Sequence, residues 1–229
     1  MAMRVLAIDT ALGACSAAVF DTGHGGVMAS ESLAMDRGHA EAVVPLVARV
    51  VKKASLRLSD CDRVVVTTGP GSFTGLRVGI AAARGIALAA ALPIVGVSTL
   101  WAFAAPLFAT DDKLPVLAVI DARHQHVYMQ MFGAGSTALG EPRLAPLAEA
   151  VRTAGDTPIR IVGSAARPIA EALIKAGRIP AAVVSRAAPD IAWVAQIGSI
   201  VPENAAPPIP LYLRPPDAQP QNASHLPRR

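Results

Sequence analysis

Eleven residues constrain this chain more than any others: Gly69-Pro70-Gly71-Ser72-Phe73-Thr74-Gly75-Leu76-Arg77-Val78-Gly79. They follow the β-branched run Val64-Val65-Val66 and lead into an alanine-rich segment. The order is therefore strand, glycine turn, helix N-terminus. Such a junction presents free backbone N–H groups and positive dipole density to whatever sits above it. Gly69 and Gly71 supply conformations closed to other residues, and Pro70 fixes φ between them. Thr74 reads as the helix N-cap. No Lys-Ser/Thr pair follows the last glycine, which excludes a Walker A loop, and the Rossmann spacing is not met. Two readings stay open for Gly69, Gly71 and Ser72: contact with a phosphate or other anion, or a structural turn.

The helix that follows has a face of small residues. Gly75, Gly79, Ala82, Ala83 and Ile86 recur along one broad stripe. Gly79 and Gly85 are interior, and each costs roughly 1 kcal/mol relative to alanine, so close approach of another element must offset the loss. That element is either the chain's own sheet or a partner's helix. Arg77 and Arg84 lie off the stripe, at its rim. Upstream, Asp9 closes the first apolar run and Thr10 follows it. In actin-like folds an acid at such a place handles a metal-bound phosphate; the alternative is an Asp that caps the turn before Cys15.

Around this junction the first half reads as three strands (Val5–Asp9, Cys15–Phe20, Val27–Ala34), a helix from about His39 to Lys53, a strand (Arg63–Thr68), the small-faced helix (Thr74–Leu92) and a strand closing at Val97. Pro45 inside the first helix predicts a break or bend near Ala42. This β-β-β-α-β-α-β order is that of the ribonuclease H-like half-domain of actin, sugar kinases and Hsp70, a fold analogy silent about activity. A helix at Thr99–Phe108 follows, then strands at Val116–Asp121, His126–Phe132 and Ile159–Val162, and helices near Ile169–Ala176 and Ile191–Val201. The reading divides the chain into an N-terminal lobe (1–105), a smaller C-terminal lobe (106–214) and a proline-rich, flexible tail (215–229).

Composition narrows the classes. Hydrophobic residues are 52% and aromatics 4%, so alanine, valine and leucine must fill the core, which suits close-packed α/β layers. A net charge of +4 without a dense Lys/Arg run tolerates a nucleic-acid partner but does not require one. Cys15 and Cys61 flank apolar runs and read as buried thiols. The stretch Val78–Val97 has the composition of a membrane span, but Arg84 interrupts it and Pro93 ends it. A cytoplasmic protein without membrane contact is expected. His39 has Ala42 and Val43 where a second helical metal ligand would stand. His124 and His126 would share a strand face that Asp121 does not, and Asp121 is expected to contact Arg123 instead. Gly163-Ser164-Ala165 lacks the flanks of a nucleophile elbow. No catalytic residue and no metal site is expected in this chain.

Ala7-Ile8-Asp9-Thr10-Ala11, Cys15-Ser16, the Gly69–Gly79 stretch, Gly96-Val97-Ser98-Thr99-Leu100, Ile120-Asp121-Ala122-Arg123 and Pro210-Leu211-Tyr212-Leu213-Arg214 together resemble the TsaB family, also called YeaZ. The resemblance implies a two-lobed actin-like ATPase fold, α/β, with mixed sheets flanked by helices. It implies a tRNA threonylcarbamoyladenosine biosynthesis protein that acts as a non-catalytic scaffold. Its implied partners are a catalytic TsaD-like subunit, a TsaE-like ATPase, and tRNA through the complex, with a homodimer as a further assembly. Family dimers are built from the two long helices of the first lobe, which puts Gly75, Arg77, Gly79, Ala82, Ala83 and Ile86 at the partner interface. The resemblance implies no cofactor of the chain's own. ATP or ADP is admitted at the partner interface, with Asp9, Thr10, Gly69, Gly71 and Ser72 as the candidate contacts, and the metal is placed on the TsaD partner. The alternative is a stand-alone phosphotransferase or peptidase on the same fold.

Overall fold

The computed structural model describes residues 2–111, 113–205 and 208–214. The expected flexible tail, 215–229, lies outside the described residues.

The first half builds a mixed sheet. Strands β1 (Arg4–Asp9), β2 (Ala14–Asp21) and β3 (Gly26–Ala34) form an antiparallel meander, with Ile8 opposite Ala17 and Ser16 opposite Ser32. Helix α1 (His39–Lys53) leads to β4 (Arg63–Gly69), which lies parallel to β1 with Leu6 beside Val64. Helix α2 (Phe73–Ala90) leads to β5 (Ile94–Ser98), parallel to β4, and helix α3 (Thr99–Thr110) leaves the sheet. The strand order is β3-β2-β1-β4-β5.

The second half repeats this plan. Strands β6 (Val116–Asp121), β7 (His126–Phe132) and β8 (Arg143–Pro146) are antiparallel, and α4 (Leu147–Thr153) follows. Then come β9 (Arg160–Val162), α5 (Ala166–Lys175), β10 (Ala182–Val184) and α6 (Ile191–Ile200), with β9 parallel to both β6 and β10. The order β8-β7-β6-β9-β10 is the first sheet's order again. Two ribonuclease H-like units in tandem make the actin-like ATPase fold that the family resemblance implied.

The third helix of each unit is exchanged. Leu100, Phe103 and Ala104 of α3 pack with Val116, Ala118 and Ile120 of the second sheet. Val194, Ala195 and Ile197 of α6 pack with Val5, Ala7, Ala18 and Val65 of the first. Helix α6, inside the span expected to form the C-terminal lobe, thus rests on the N-terminal sheet. Buried arginines tie both exchanges. Arg63 donates to the carbonyls of Gly198 (2.8 Å) and Val201 (2.7 Å), and Arg160 donates to Leu107 (2.7 Å) and Leu114. Charge-assisted bonds to the last carbonyls of a helix satisfy acceptors that the helix itself leaves free.

Helices α1 and α2 cover the opposite face of the first sheet, burying Val43, Leu46, Val47, Val50, Ile80, Ala83 and Ala87 against Leu6, Ile8, Val64 and Val66. Of the described helices, α2 alone is long and apolar enough to cross a membrane, and 33% of it is buried against the rest of the chain. Three details differ from the sequence reading. Helix α1 runs unbroken through Pro45, because the proline and Glu41 four residues before it both lie on the exposed side, where a freed carbonyl is tolerated. The N-cap of α2 is Ser72, whose Oγ accepts from the Gly75 N–H at 3.3 Å; Thr74 already lies within the helix. Strands β8 and β10 and helix α4 did not stand out in the sequence, being three to seven residues long.

Candidate functional site

The junction between β1 and α2 folds in on itself. Thr10 Oγ1 donates to the Gly75 carbonyl at 2.7 Å, and the Ser72 N–H donates to the Ala11 carbonyl at 2.7 Å. A Cβ on Gly71 would collide with the Ala11 carbonyl oxygen, and one on Gly75 with that of Thr10. Both glycines are therefore required by close backbone approach within the chain. Gly69 adopts φ +111, a left-handed conformation open to glycine, and faces Leu76 and the Leu211 carbonyl. Asp9 is fully buried. Its Oδ1 accepts from Thr67 Oγ1 at 2.5 Å and from the Ala11 N–H at 3.0 Å, whereas Oδ2 has no partner. Burial pushes its carboxyl above the usual carboxylate range, and the bonds to Thr67 and Ala11 and the nearby His39 only partly oppose this. Beside the β1–β2 turn, Ala187, in the segment joining β10 to α6, stands 3.6 Å from where a Gly13 Cβ would sit, and both residues line an open cleft of about 570 Å³.

The five residues admitted for nucleotide contact are thus each taken up by other parts of the chain, Gly69 facing Leu76 and the Leu211 carbonyl. Ser72 caps its own helix, Thr10 holds Gly75, Gly71 seats Ala11, and Asp9 is enclosed beneath them. These residues do not form an open phosphate cradle.

Helix α2 has two faces. Gly75, Gly79 and Ala83 point inward; a Cβ on Gly79 would collide with Thr10 Oγ1 and come within 3.7 Å of Val66. Of the six residues expected at a partner interface, these three are core, Ala82 and Ile86 are half-buried, and only Arg77 is exposed. The exposed face instead carries Arg77, Ala81, Arg84, Gly85 and Leu88. A Cβ on Gly85 would meet nothing within 4 Å, so no packing inside the chain explains that glycine. Leu88 is 86% exposed and Val44 on neighbouring α1 is 55% exposed, with Ala48 one turn further along the same helix. The two helices together present small and apolar side chains to solvent, a surface that docking would cover.

A C-terminal segment, residues 208–214, runs along α2. The Leu211 N–H donates to the Thr68 carbonyl at 2.8 Å, extending the end of β4. Arg77 Nε donates to the Tyr212 hydroxyl at 3.0 Å, the Arg77 guanidinium lies 3.7 Å over the Phe73 ring, and Phe73 and Tyr212 are in ring contact at 4.9 Å. Arg84 donates to the Pro208 carbonyl at 2.9 Å. At the far end Arg214 donates to the Ala122 carbonyl at 3.0 Å, so the segment bridges the two sheets.

The other sequence candidates fall into local structure. His39 is buried at the start of α1, with Nε2 3.2 Å from the Leu12 carbonyl. His124 sits in a turn where Arg123, His124 and Gln125 all have positive φ, and β7 begins only at His126, so the two histidines do not share a strand face. Asp121 does contact Arg123, through the backbone N–H at 2.8 Å. Ser164 Oγ accepts from the Asp121 N–H at 2.9 Å. Among the described residues no group of three His, Cys, Asp or Glu side chains is placed to hold a metal. Cys15 and Cys61 are buried thiols, pushed up to about 11 by desolvation. Sequence reading missed the bridging segment and the outer face of α2; the signal for the latter was Gly85, exposed by the helical period yet glycine.

Comparison with known proteins gives the following. Residues 20–186 match the family model of TsaD, tRNA N6-adenosine threonylcarbamoyltransferase. The Escherichia coli (strain K12) tRNA threonylcarbamoyladenosine biosynthesis protein TsaB is 43% identical over 126 residues, which are 55% of this chain and 53% of that protein. The match thus spans about half the length of that curated relative. An uncharacterized protein of Mycobacterium tuberculosis (strain ATCC 25618 / H37Rv) is 36% identical over 217 residues, 94% of each chain. A crystal structure of a Pseudomonas aeruginosa protein described as similar to peptidase YEAZ superposes with TM-score 0.73 at 25% identity, covering 93% of this chain and 100% of that one.

Proposed function

This chain belongs to the TsaB (YeaZ) family, whose fold the TsaD model also matches, and we propose from that premise that it serves tRNA threonylcarbamoyladenosine biosynthesis as a non-catalytic scaffold. It works in the cytoplasm beside a TsaD-like catalytic subunit and a TsaE-like ATPase, and reaches tRNA through that complex. One observation carries the reading: α2 leaves Ala81, Gly85 and Leu88 uncovered beside Val44 and Ala48 of α1. An apolar helix face with an exposed interior glycine admits a partner helix at short interaxial distance. The proposed docking face is therefore the outer side of α2 with α1, flanked by Ala82 and Ile86 and rimmed by Arg77.

The chemistry of the junction supports the same role. Asp9, Thr10, Gly71 and Ser72 are occupied by contacts within the chain, and His39 and Ser164 each bond to backbone. A nucleophile with an adjacent base, which a serine- or cysteine-type peptidase requires, is not assembled among them. Any ATP or ADP of the complex is proposed to lie at the partner interface, and the metal on the TsaD-like subunit. Reconstitution tests this. The chain alone is expected to give neither ATP turnover nor threonylcarbamoyladenosine on tRNA. Adding the TsaD-like and TsaE-like subunits with threonylcarbamoyl-adenylate is expected to yield the modified nucleoside by mass spectrometry, and omitting this chain to abolish it. Product formation by the chain alone, or undiminished product without it, would falsify the scaffold role.

A further inference from the structure

The segment 208–214 engages both cations of α2 and no other charge on that helix, which contains no acidic residue. Arg77 and Arg84 are two helical turns apart, about 10.5 Å along the axis, and Ala81 and Gly85 share the exposed face with them. Each arginine spends one donor on this segment: Nε of Arg77 on the Tyr212 hydroxyl, a terminal nitrogen of Arg84 on the Pro208 carbonyl. A guanidinium has five N–H donors in a planar fork, so most of each fork remains for a bound group. Both acceptors are neutral, and neither cancels the arginine's charge. Stacking on Phe73 at 3.7 Å and the hydroxyl bond hold the Arg77 plane in place, which removes rotamer entropy otherwise lost on binding. The segment also enlarges the surface: Ile209 is 60% exposed and Tyr212 40% exposed beside the helix.

We infer that residues 208–214 are a positioning strap, which fixes Arg77 and Arg84 as a two-pronged clamp for a partner helix carrying two carboxylates about two turns apart beside an apolar seam. The inference rests on the docking face proposed above and adds the charge chemistry of its occupant. The apolar seam supplies buried area, and the clamp supplies register and a salt-dependent share of the affinity. Tyr212 acts through Arg77 and is a positioning residue.

The test uses the full chain and its TsaD-like subunit, with binding measured by calorimetry between about 0.05 and 0.5 M salt. Arg77→Glu and Arg84→Glu are expected to weaken binding at least about tenfold at low salt and to flatten its salt dependence. Tyr212→Phe keeps the ring stack but loses the acceptor, and is expected to cost about 3- to 10-fold, with the loss shrinking at high salt. Helicity and thermal midpoint of each isolated variant control for folding. Arginine variants with unchanged affinity and salt slope, in a chain where Gly85→Leu does weaken docking, overturn the clamp while leaving the docking face intact. Docking undiminished by Gly85→Leu removes the face and the clamp together. Wild-type affinity in Tyr212→Phe, with both arginine variants impaired, overturns the strap's positioning role.

Discussion

Gly75 and Gly85 lie in the same helix, ten residues apart, and replacing each with alanine should have opposite effects. At Gly75 the new methyl would be driven into the Thr10 carbonyl, which is backbone and cannot swing aside. Overpacking of that kind costs about 1–3 kcal/mol. The shift would also strain the 2.7 Å bond from Thr10 Oγ1 to the Gly75 carbonyl, worth about 1 kcal/mol. Alanine returns about 1 kcal/mol of helix propensity, leaving a net loss of about 1–3 kcal/mol. At Gly85 the methyl meets nothing within 4 Å, so only the propensity gain remains, about 0.5–1 kcal/mol. Urea unfolding of the isolated chain, with far-UV circular dichroism as the probe, reads both. Gly75→Ala should lower the midpoint and Gly85→Ala raise it, with unchanged slopes. Gly85→Leu should leave the isolated chain as stable as wild type yet weaken binding of the TsaD-like subunit about 10- to 100-fold by holding the helices apart. A neutral Gly75→Ala would refute the claim that this glycine serves internal packing. A destabilising Gly85→Ala would show that the outer face is not free.

Asp9→Asn should change how stability depends on pH. The folded carboxyl sits above its ordinary 3.8 because of burial, so its contribution is full below about that pH and fades as pH rises through the folded value. The asparagine variant should show a flatter profile and a higher urea midpoint at neutral pH; a lower midpoint at every pH would contradict the assignment. Glu31 behaves in the opposite sense. Bonds to Arg49 and Lys53 hold it at about 2, so its contribution is present above 4.5 and lost as pH falls toward 2. Glu31→Gln should remove that acid-side loss, and an unchanged acid unfolding curve would count against the pairing. His39→Ala removes only a bond to the Leu12 carbonyl, so the reconstituted complex should retain activity within several-fold; complete loss with folding and docking intact would reveal a chemical role.

The first unit was legible because its elements are long and its punctuation is strong. Strands β1, β2 and β4 are almost wholly buried and read as apolar runs, and the glycine loop marks where a strand turns into a helix. The second unit was harder. Strands β8 and β10 are four and three residues long, too short for alternation to register. An echo of the duplication was nonetheless present: Val5-Leu6-Ala7-Ile8-Asp9 and Val116-Leu117-Ala118-Val119-Ile120-Asp121 open the two units alike. So do Gly69 and Gly163, both at positive φ immediately at or after the fourth strand of their unit. The small-residue stripe on α2 was visible, but its direction was not. A helical period separates inner from outer faces cleanly only when one is polar throughout, and here the outer face, Arg77 and Arg84 apart, is built of alanine, glycine and leucine like the inner.

That ambiguity bears on what the fold has been used for. In a duplicated unit of this kind, the turn after the first strand and the glycine loop after the fourth converge, and an open gap between them would admit a phosphate. Here the gap is closed by the chain itself. Thr10 and Ala11 press against Gly71 and Gly75, and an acid with a raised pKa is sealed beneath. The closure gives α2 many fixed points along its inner side. A helix anchored in that way loses little further entropy when its outer side is covered, which favours docking. The interactions that close this junction therefore also make the outer face of α2 a rigid platform, and a rigid platform with a prealigned arginine at its rim suits the scaffold role proposed for the chain.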